Sequence, residues 1–265
     1  FYNREQNTLV ELFNGISFWG RYPYNFGHSL SSNHILESSF QFMDRVALFD
    51  TTQFSSDVFE YPESGKEGSI NLRYAFLNKR NHVRNMFSPN QGYGLEILIK
   101  KSTPSLWGDF DYLKTEMDLY TNRKVGPFSL YGRGRYERMN GDPPDQEKLG
   151  IINIPNYYIA GILTPGREYM TPRGYSGKQM GDQAFMGTIE LRAPVAPLDI
   201  IEVLKVIKFG RPTFALISDF GNAWNEGSKM GDWIVTTGAE FRLSLILANA
   251  PLFIFSYGWA QSPEK

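Results

Sequence analysis

Hydrophobic and polar residues alternate along much of this chain with a period of two residues. Segment 69–76 shows the pattern, with apolar side chains of one parity and polar side chains of the other: Ile70, Leu72, Tyr74 and Phe76 against Asn71 and Arg73. Successive side chains of a β-strand point to opposite faces of the sheet. Each such segment is therefore predicted to be a strand with one apolar face and one polar face.

About eleven segments alternate in this way, and turn-forming residues separate many of them. They lie near 7–19, 34–49, 69–79, 91–101, 111–123, 128–139, 156–164, 183–193, 211–221, 234–247 and 252–261. Several are about ten residues or longer, which is typical of tilted membrane strands, whereas strands of globular sheets average about five or six residues. Only the stretch 198–206 suggests a short amphipathic helix. The predicted fold class is all-β, with antiparallel strands.

The segment 243–263 carries no charged residue and is long enough for one membrane-spanning helix. Pro251 lies in its middle, however, and would break such a helix. The aromatic side chains that follow share one parity: Phe253, Phe255, Tyr257 and Trp259. This alternation favours two strands joined by a tight turn near Pro251.

Composition excludes several classes of protein. The chain of 265 residues carries 27 basic and 28 acidic side chains, so it lacks the cationic excess that nucleic-acid binding requires. The absence of cysteine excludes disulfides, thiolate zinc sites and a cysteine nucleophile. A mean hydropathy of −0.35 excludes a bundle of transmembrane helices. It is compatible with a membrane β-barrel, because barrel strands are apolar on one face only.

Two architectures fit many long antiparallel strands: a soluble sandwich or propeller with a dry interior, and a membrane barrel with a polar lumen. Charges cluster on the polar parity of single segments, as in Arg133, Arg135 and Glu137, and a small dry core could not hold them unpaired. They would suit a lumen, or the solvent face of a sandwich. Aromatic residues near segment ends would form interfacial girdles or belong to a core: Trp19, Tyr22, Tyr24, Trp107, Trp224, Trp233 and Trp259. The charge pattern favours the barrel.

The residues that carry catalysis in other proteins are sparse. The histidines His28, His34 and His82 are scattered, and their spacing supplies neither a metal site nor a Ser-His-Asp arrangement. Glu116 and Asp118 share a strand face about 7 Å apart, which suits an acid/base pair but also suits charges paired with basic neighbours. We therefore predict no enzyme, no metal and no cofactor, with a membrane-embedded hydrolase as a remaining alternative.

Three motifs follow one another in the last hundred residues. They are the loop Thr171-Pro172-Arg173-Gly174-Tyr175, the segment 185–194 with Gly187 and Glu190, and the segment 214–224 with Asp219 and Gly221. Their order resembles the C-terminal barrel of the bacterial surface antigen family, the BamA/TamA-type outer-membrane assembly proteins. The matching elements are the family's Arg-Gly-Phe/Tyr loop, its Gly-x-x-Glu strand and its x-x-Asp-x-Gly strand. The resemblance covers roughly 157–261.

This resemblance implies a sixteen-stranded antiparallel transmembrane barrel in the bacterial outer membrane. Residues 1–265 would then form a single barrel domain truncated at one or both ends, without its first four strands and its closing strand. The implied function is the insertion or translocation of client proteins. The implied partners are outer-membrane lipid, unfolded client proteins and periplasmic accessory proteins.

The resemblance also implies a site. Parity places Glu190 and Asp219 on the polar faces of their strands, and in the family the loop folds into the barrel so that its arginine contacts both carboxylates. We therefore expect Arg173 to pair with Glu190 and Asp219, with Gly174 and Tyr175 completing the loop motif. Other interpretations are an exposed Arg-Gly-Tyr turn and an Asp219 cap at a strand end. Gly187 and Gly221 are either motif residues or simple strand bulges.

Two further functions remain open at this point. A passive barrel would act as a pore, or as a membrane anchor for an appended domain. A soluble β-sandwich would bind carbohydrate or protein. Extraction of the protein without detergent would favour the sandwich and exclude both barrels.

Overall fold

The computed structural model describes residues 2–3, 8–9, 11–24, 32–47, 63–80, 91–144, 147–152, 170–195, 200–204, 207–210, 212–247 and 250–262. Within these ranges every regular element is a β-strand except a single 3-10 turn, Pro104–Leu106. None of the described segments is a helix long and apolar enough to cross a membrane.

The strands are numbered in chain order. They are β1 (Tyr2–Asn3), β2 (Thr8–Leu9), β3 (Glu11–Tyr24), β4 (Ser32–Ala47), β5 (Gly65–Arg80), β6 (Gln91–Ser102), β7 (Asp111–Val125), β8 (Phe128–Asp142), β9 (Leu149–Ile152), β10 (Lys178–Gly181), β11 (Gln183–Pro194), β12 (Ile200–Leu204), β13 (Ile207–Gly210), β14 (Thr213–Trp224), β15 (Ile234–Leu247) and β16 (Ala250–Gln261).

Twelve of these strands form one antiparallel sheet. Its order is β12-β13-β15-β14-β11-β8-β7-β6-β5-β4-β3, with β16 added on β15. β13 and β14 pair with successive parts of β15, so β13 continues the line of β14. In the same way β12 continues the line of β11, because β11 pairs with β14 and β12 pairs with β13. The twelve segments therefore run as ten long ribbons. In the described residues β3 pairs only with β4, and β16 only with β15, so these two strands are the edges.

Adjacent ribbons of the sheet follow one another directly in sequence except between β8 and β11, where the chain makes an excursion over 143–182. Within it β9 pairs with β10, and Ile151 forms a parallel bridge with Met170. The excursion contributes apolar side chains that pack against the end of the sheet and form the main hydrophobic cluster: Leu149, Ile151 and Met170, against Phe110, Tyr112, Met139, Ala184, Ala223 and Ile234.

The two faces of the sheet have the opposite polarity to that of a soluble sheet. On β11, Ile189 is 49% exposed whereas its neighbour Glu190 is 3% exposed. On β14, Leu216 is 51% exposed whereas Asp219 is fully buried. We call the exposed side the apolar face; it includes Ile16, Phe18, Leu36, Leu72, Ile99, Leu119, Leu130, Leu191, Phe241, Phe255, Tyr257 and Trp259. The covered side is the polar face; it includes Arg45, Glu67, Asn122, Glu137, Glu190, Arg192 and Asp219.

The all-β antiparallel prediction is confirmed, and most predicted segments coincide with strands. The two strands predicted in 243–263 are confirmed, because β15 ends at Leu247, β16 begins at Ala250, and the two pair antiparallel. The helical interpretation of 198–206 is wrong: Ile200–Leu204 is β12 and pairs with β13, so its apolar run belongs to a hairpin. The predicted strand 156–164 lies outside the described residues.

Aromatic residues near strand ends are not core residues wherever their side chains are described. Tyr22, Trp107, Trp233 and Trp259 are exposed and Trp224 is partly exposed. Trp19 is also exposed, but it shares the polar parity of β3 because it pairs with Ser39. The side chain of Tyr24 lies outside the described residues.

Candidate functional site

The loop motif lies in the last part of the excursion, directly after the bridge to β9. The Ile152 amide donates to the Met170 carbonyl at 3.1 Å, which fixes the start of the loop against β9. A turn then follows, in which the Tyr175 amide donates to the Pro172 carbonyl at 3.3 Å. Arg173 and Gly174 form the tip of this turn, and the tip faces the polar face of the sheet.

Arg173 donates three hydrogen bonds to the carboxylate of Asp219. Its Nε donates to Oδ2 at 2.8 Å, its Nη2 to Oδ1 at 2.6 Å, and its backbone amide to Oδ2 at 3.0 Å. The hydroxyl of Thr188 also donates to Oδ1, at 2.8 Å. Because the carboxylate of Asp219 is fully buried, this fork supplies the partners that the charge loses when it leaves water.

The same guanidinium reaches two further strands. Its Nη1 donates to Oε1 of Glu190 on β11 at 2.8 Å and lies 3.5 Å from Oε2 of Glu240 on β15. Burial disfavours the charged form of Arg173, but hydrogen bonds to Asp219 and Glu190 outweigh it and raise the pKa of the guanidinium. The loop is therefore tied to three adjacent strands by one side chain.

Two more arginines complete the cluster around Glu190. Arg242 binds both Glu190 oxygens at 2.8 and 2.9 Å and donates to Glu240 at 2.7 Å. Arg192 donates to Glu190 Oε2 at 2.7 Å, and its guanidinium lies 4.2 Å from the centre of the Tyr131 ring. The three arginines balance the three carboxylates, so the group, which we call the ionic clamp, is neutral as a whole.

Gly174 fits the tip of the loop for two reasons. Its φ of +77° lies in the left-handed region that other residues rarely adopt. A side chain at this position would also collide with the carbonyl of Ala260 on β16. The loop tip therefore lies directly against the backbone of an edge strand. Its neighbour Tyr175 packs against the hydrophobic cluster of the excursion.

Neither motif glycine forms a β-bulge; each leaves space that a neighbouring side chain occupies. The pairing of β11 with β14 runs without a register shift through both positions. A Cβ at Gly187 would collide with the ring of Phe220 on the apolar face, and one at Gly221 with Ile151 of the excursion on the polar face. Gly221 therefore allows the excursion to pack closely on β14.

The sequence-based prediction missed Arg242 and Glu240 as members of the clamp, although a signal was present. β11 contains Glu190-Leu191-Arg192 and β15 contains Glu240-Phe241-Arg242, so both strands carry the same Glu-apolar-Arg triplet. Residues two apart lie on one face of a strand, so each triplet presents an adjacent pair of opposite charges.

A second cluster, which we call the ionic anchor, was not predicted at all. Glu67 on β5 is fully buried and binds Arg45 of β4 at 2.5 Å, Lys100 of β6 at 2.5 Å and the Tyr112 hydroxyl at 2.9 Å. Glu147 of the excursion binds the same guanidinium at 2.7 Å. The excursion is thus held at two places: by Glu147 on β4, and by Arg173 on β11, β14 and β15.

The carboxylates considered as an acid/base pair are both engaged in ion pairs. Glu116 lies 2.5 Å from Lys114 and 3.3 Å from Arg135, and Asp118 forms a forked ion pair with Arg133. Among the described residues no group of three or more histidine, aspartate or glutamate side chains could hold a metal ion. His34 hydrogen-bonds the Tyr74 hydroxyl at 2.8 Å.

A cavity of about 490 Å³ lies on the polar face between the clamp and the middle strands. Its wall includes both members of ion pairs and two tyrosine rings: Arg73, Glu96, Asp118, Tyr120, Tyr131, Arg133 and Arg192. Arg73 binds Glu96 at 2.6 and 2.8 Å and Glu37 at 2.5 Å, which neutralises much of this wall.

Comparison with known proteins gave no match, either to a family model or to a curated protein.

Proposed function

We propose that this chain belongs to the membrane-spanning barrel of a BamA/TamA-type assembly protein, which inserts or translocates client polypeptides at the bacterial outer membrane. The observation that carries this proposal is the polarity of the sheet, with an exposed apolar face and a covered ionic face. A soluble monomer rarely exposes so extensive an apolar surface. In a bilayer the same residues would contact acyl chains, and the ionic residues would line a hydrated lumen.

The dimensions of the strands support a spanning role. The ten ribbons contain strands of 12–16 residues, and about 9–11 residues cross a bilayer when tilted. Aromatic rings also gather towards both ends of the apolar face. Phe185, Phe220 and Trp233 lie within 6.0–6.4 Å of one another near one end, and Phe76 lies 5.6 Å from Tyr93 near the other. Such rings suit the two membrane interfaces.

The ionic clamp supports the family resemblance more specifically. The resemblance implies an inward-folded loop whose arginine contacts acidic residues on the two strands that follow. Arg173 makes these contacts with Glu190 and Asp219. An exposed Arg-Gly-Tyr turn would make neither contact.

The proposed mechanism is strand addition at a weak seam. Unpaired edge N–H and C=O groups cost several kcal/mol each in lipid, so a barrel must close its edges. By the resemblance, the first and last strands meet weakly, and an incoming client strand pairs with the exposed backbone. In the described residues the edges available for such closure are β3 and β16.

Membrane integration is the first test. We expect membranes of cells producing the protein to retain it through an alkaline carbonate wash and to release it only with detergent. The folded protein should also migrate differently on gels before and after boiling. Recovery of a monodisperse protein without detergent would contradict both barrel functions and favour a soluble sandwich.

Client folding is the second test. Liposomes containing the protein should fold an added, urea-denatured eight-stranded barrel several times faster than empty liposomes. Liposomes with an unrelated barrel of similar size serve as the control, because any protein disturbs lipid packing. Equal rates in the two protein-containing preparations would contradict the assembly function.

A passive pore is the second candidate, and the cavity on the polar face favours it. Its charged wall would admit ions and small polar solutes if the lumen is continuous. Steady single-channel conductance without any acceleration of client folding would select this function.

A further inference from the structure

The connections at the two ends of the sheet differ sharply in charge. Several strands end on the side of the sheet where β7 turns into β8. The sequence that follows or precedes these strand ends, at 25–31, 79–90, 123–127, 195–212 and 248–249, contains eight cationic residues and two acidic ones: Lys79, Arg80, Arg84, Arg123, Lys124, Lys205, Lys208 and Arg211, against Asp199 and Glu202. On the other side, 48–64, 103–110 and 225–233 contain seven acidic residues and one cation: Asp50, Asp57, Glu60, Glu63, Asp109, Glu226 and Asp232, against Lys229. The excursion 143–182, which connects β8 with β11 on this side, adds four acidic residues and four cations, so the balance stays acidic.

The β7–β8 hairpin shows how cations and apolar groups combine at the basic end. Arg123 and Lys124 are exposed, and no described carboxylate pairs with either. Val125 and Phe128, which pair across the turn, are also exposed. Arg123 pairs with Leu130 in the register and so borders the apolar face.

A second hairpin at the same end repeats this composition. β12 contains mainly isoleucine, leucine and valine, and β13 adds Ile207 and Phe209. Lys208 lies on β13, partly exposed and opposite Glu202 of β12 in the register. We call Arg123 and Lys124 the basic rim.

We propose that the basic rim binds anionic lipid headgroups of the bilayer that the strands cross. The inference rests on the proposed membrane function. Apolar residues at the hairpin tips would contact acyl chains, while the adjacent long cationic side chains extend to the phosphate layer. A lysine or arginine near an anionic surface contributes about a fivefold gain in binding, equivalent to about 1 kcal/mol. The acidic end gains nothing from such lipids.

The test compares two lysines at opposite ends. Lys124→Glu changes the basic rim, and Lys229→Glu makes the same change in an exposed connection of the acidic end. Insertion of the denatured protein is followed by the heat-dependent gel shift, in vesicles of phosphatidylcholine alone and with one-fifth phosphatidylglycerol. We expect the anionic lipid to accelerate insertion of the wild type and of Lys229→Glu. In Lys124→Glu the acceleration by the anionic lipid should be at least fivefold smaller than in the wild type. In all three proteins 0.5 M NaCl should abolish this acceleration.

Other outcomes separate the proposals. Equal losses in the two variants would overturn the basic rim as the binding surface, because total charge alone would explain them. Equal insertion of the wild type into both kinds of vesicle would also overturn the binding of anionic lipid by the basic rim. An acidic protein would then be the remaining partner for these cations. Failure to insert in either vesicle would contradict the membrane function itself.

Discussion

Single side chains hold the excursion on the polar face. Arg173 is the clearest case, because its guanidinium reaches carboxylates on three strands and the turn around it contains a glycine in the left-handed conformation. Arginine suits this role better than lysine, since its planar fork can bind a carboxylate through two parallel hydrogen bonds. The carboxylates in turn depend on the loop, because without Arg173 the buried Asp219 would retain Thr188 as its hydroxyl donor but lose its cation.

Replacing Asp219 by asparagine tests the clamp. The change removes the charge from the fork at nearly constant volume, and hydrogen bonds to charged groups contribute about 1.5–3 kcal/mol. We expect the loop to open roughly 10- to 150-fold more often. Trypsin cleavage at the Arg173–Gly174 bond, measured by mass spectrometry, reports this opening. Asp118→Asn is the matched control, because it breaks the pair with Arg133 on the same face, and it should leave this cleavage unchanged.

Replacing Gly174 and Gly227 by alanine in two separate variants distinguishes two losses of stability: the strain of a left-handed backbone and the collision of a Cβ with β16. Gly227 has almost the same φ, +78° against +77°, but open space where a Cβ would stand. Gly227→Ala should therefore cost about 1 kcal/mol through backbone conformation alone. Gly174→Ala adds the collision with Ala260, and we expect a distinctly larger loss of unfolding free energy in urea. Equal losses would show that the loop tip does not contact β16.

At the scale of the elements, the period-two pattern predicted the long strands because each has one apolar and one polar face. The short strands could not be recognised in this way. β9, β10 and β13 have four residues each and β12 has five, and so short a run gives no clear period. The interpretation of 198–206 as a helix failed for this reason: pairing with β13, rather than local spacing, decides its structure.

The site could be predicted in part. Parity alone placed Glu190 and Asp219 on the covered face, while the link to Arg173 required the family resemblance. The ionic anchor could not be predicted, because Glu147 and Arg45 are 102 positions apart. Their contact is a tertiary one between the excursion and β4, and no local pattern in the sequence encodes it.

The ionic anchor predicts that neutralising a buried carboxylate lowers the unfolding free energy much more than neutralising an exposed one. Glu67→Gln leaves Arg45 and Lys100 buried without their main counter-charge, and we expect a loss of about 3–5 kcal/mol in unfolding free energy. Glu226→Gln breaks an exposed pair with Arg138, in which the side chains are 60% and 41% exposed, and should cost less than about 1 kcal/mol. Urea titration of both variants in the same detergent would measure this, and similar losses would contradict the burial of the anchor.

At the scale of the whole molecule, the two faces of the sheet differ in which kind of side chain is exposed and which is covered, and the overall composition does not show this difference. A net charge of −1 and a negative mean hydropathy resemble those of a soluble protein. The difference lies in placement: the ions neutralise one another on the covered side, and aliphatic and aromatic side chains occupy the exposed side. Average composition therefore conceals the feature that the alternation reveals.

Two arginine substitutions test whether the apolar face meets lipid. Leu216 on the apolar face and Met230 in a connection are both 51% exposed, so water would accept an arginine at either position. In a bilayer, Leu216→Arg should cost about 2–4 kcal/mol if it lies near the midplane, whereas Met230→Arg should cost little. The measurement is the urea midpoint of folding in phospholipid vesicles. Equal midpoints would contradict a lipid environment for this face.

The neutral balance of the ionic clamp limits how related sequences can diverge. Loss of one member leaves the clamp with a net charge on the covered face, whereas a joint exchange of acid and base preserves neutrality. Homologues should therefore covary at positions 190 and 242, and at 173 and 219, more strongly than each position is conserved by itself. Selection on such a site acts on pairs, so single-residue identity understates how closely two of these proteins are related.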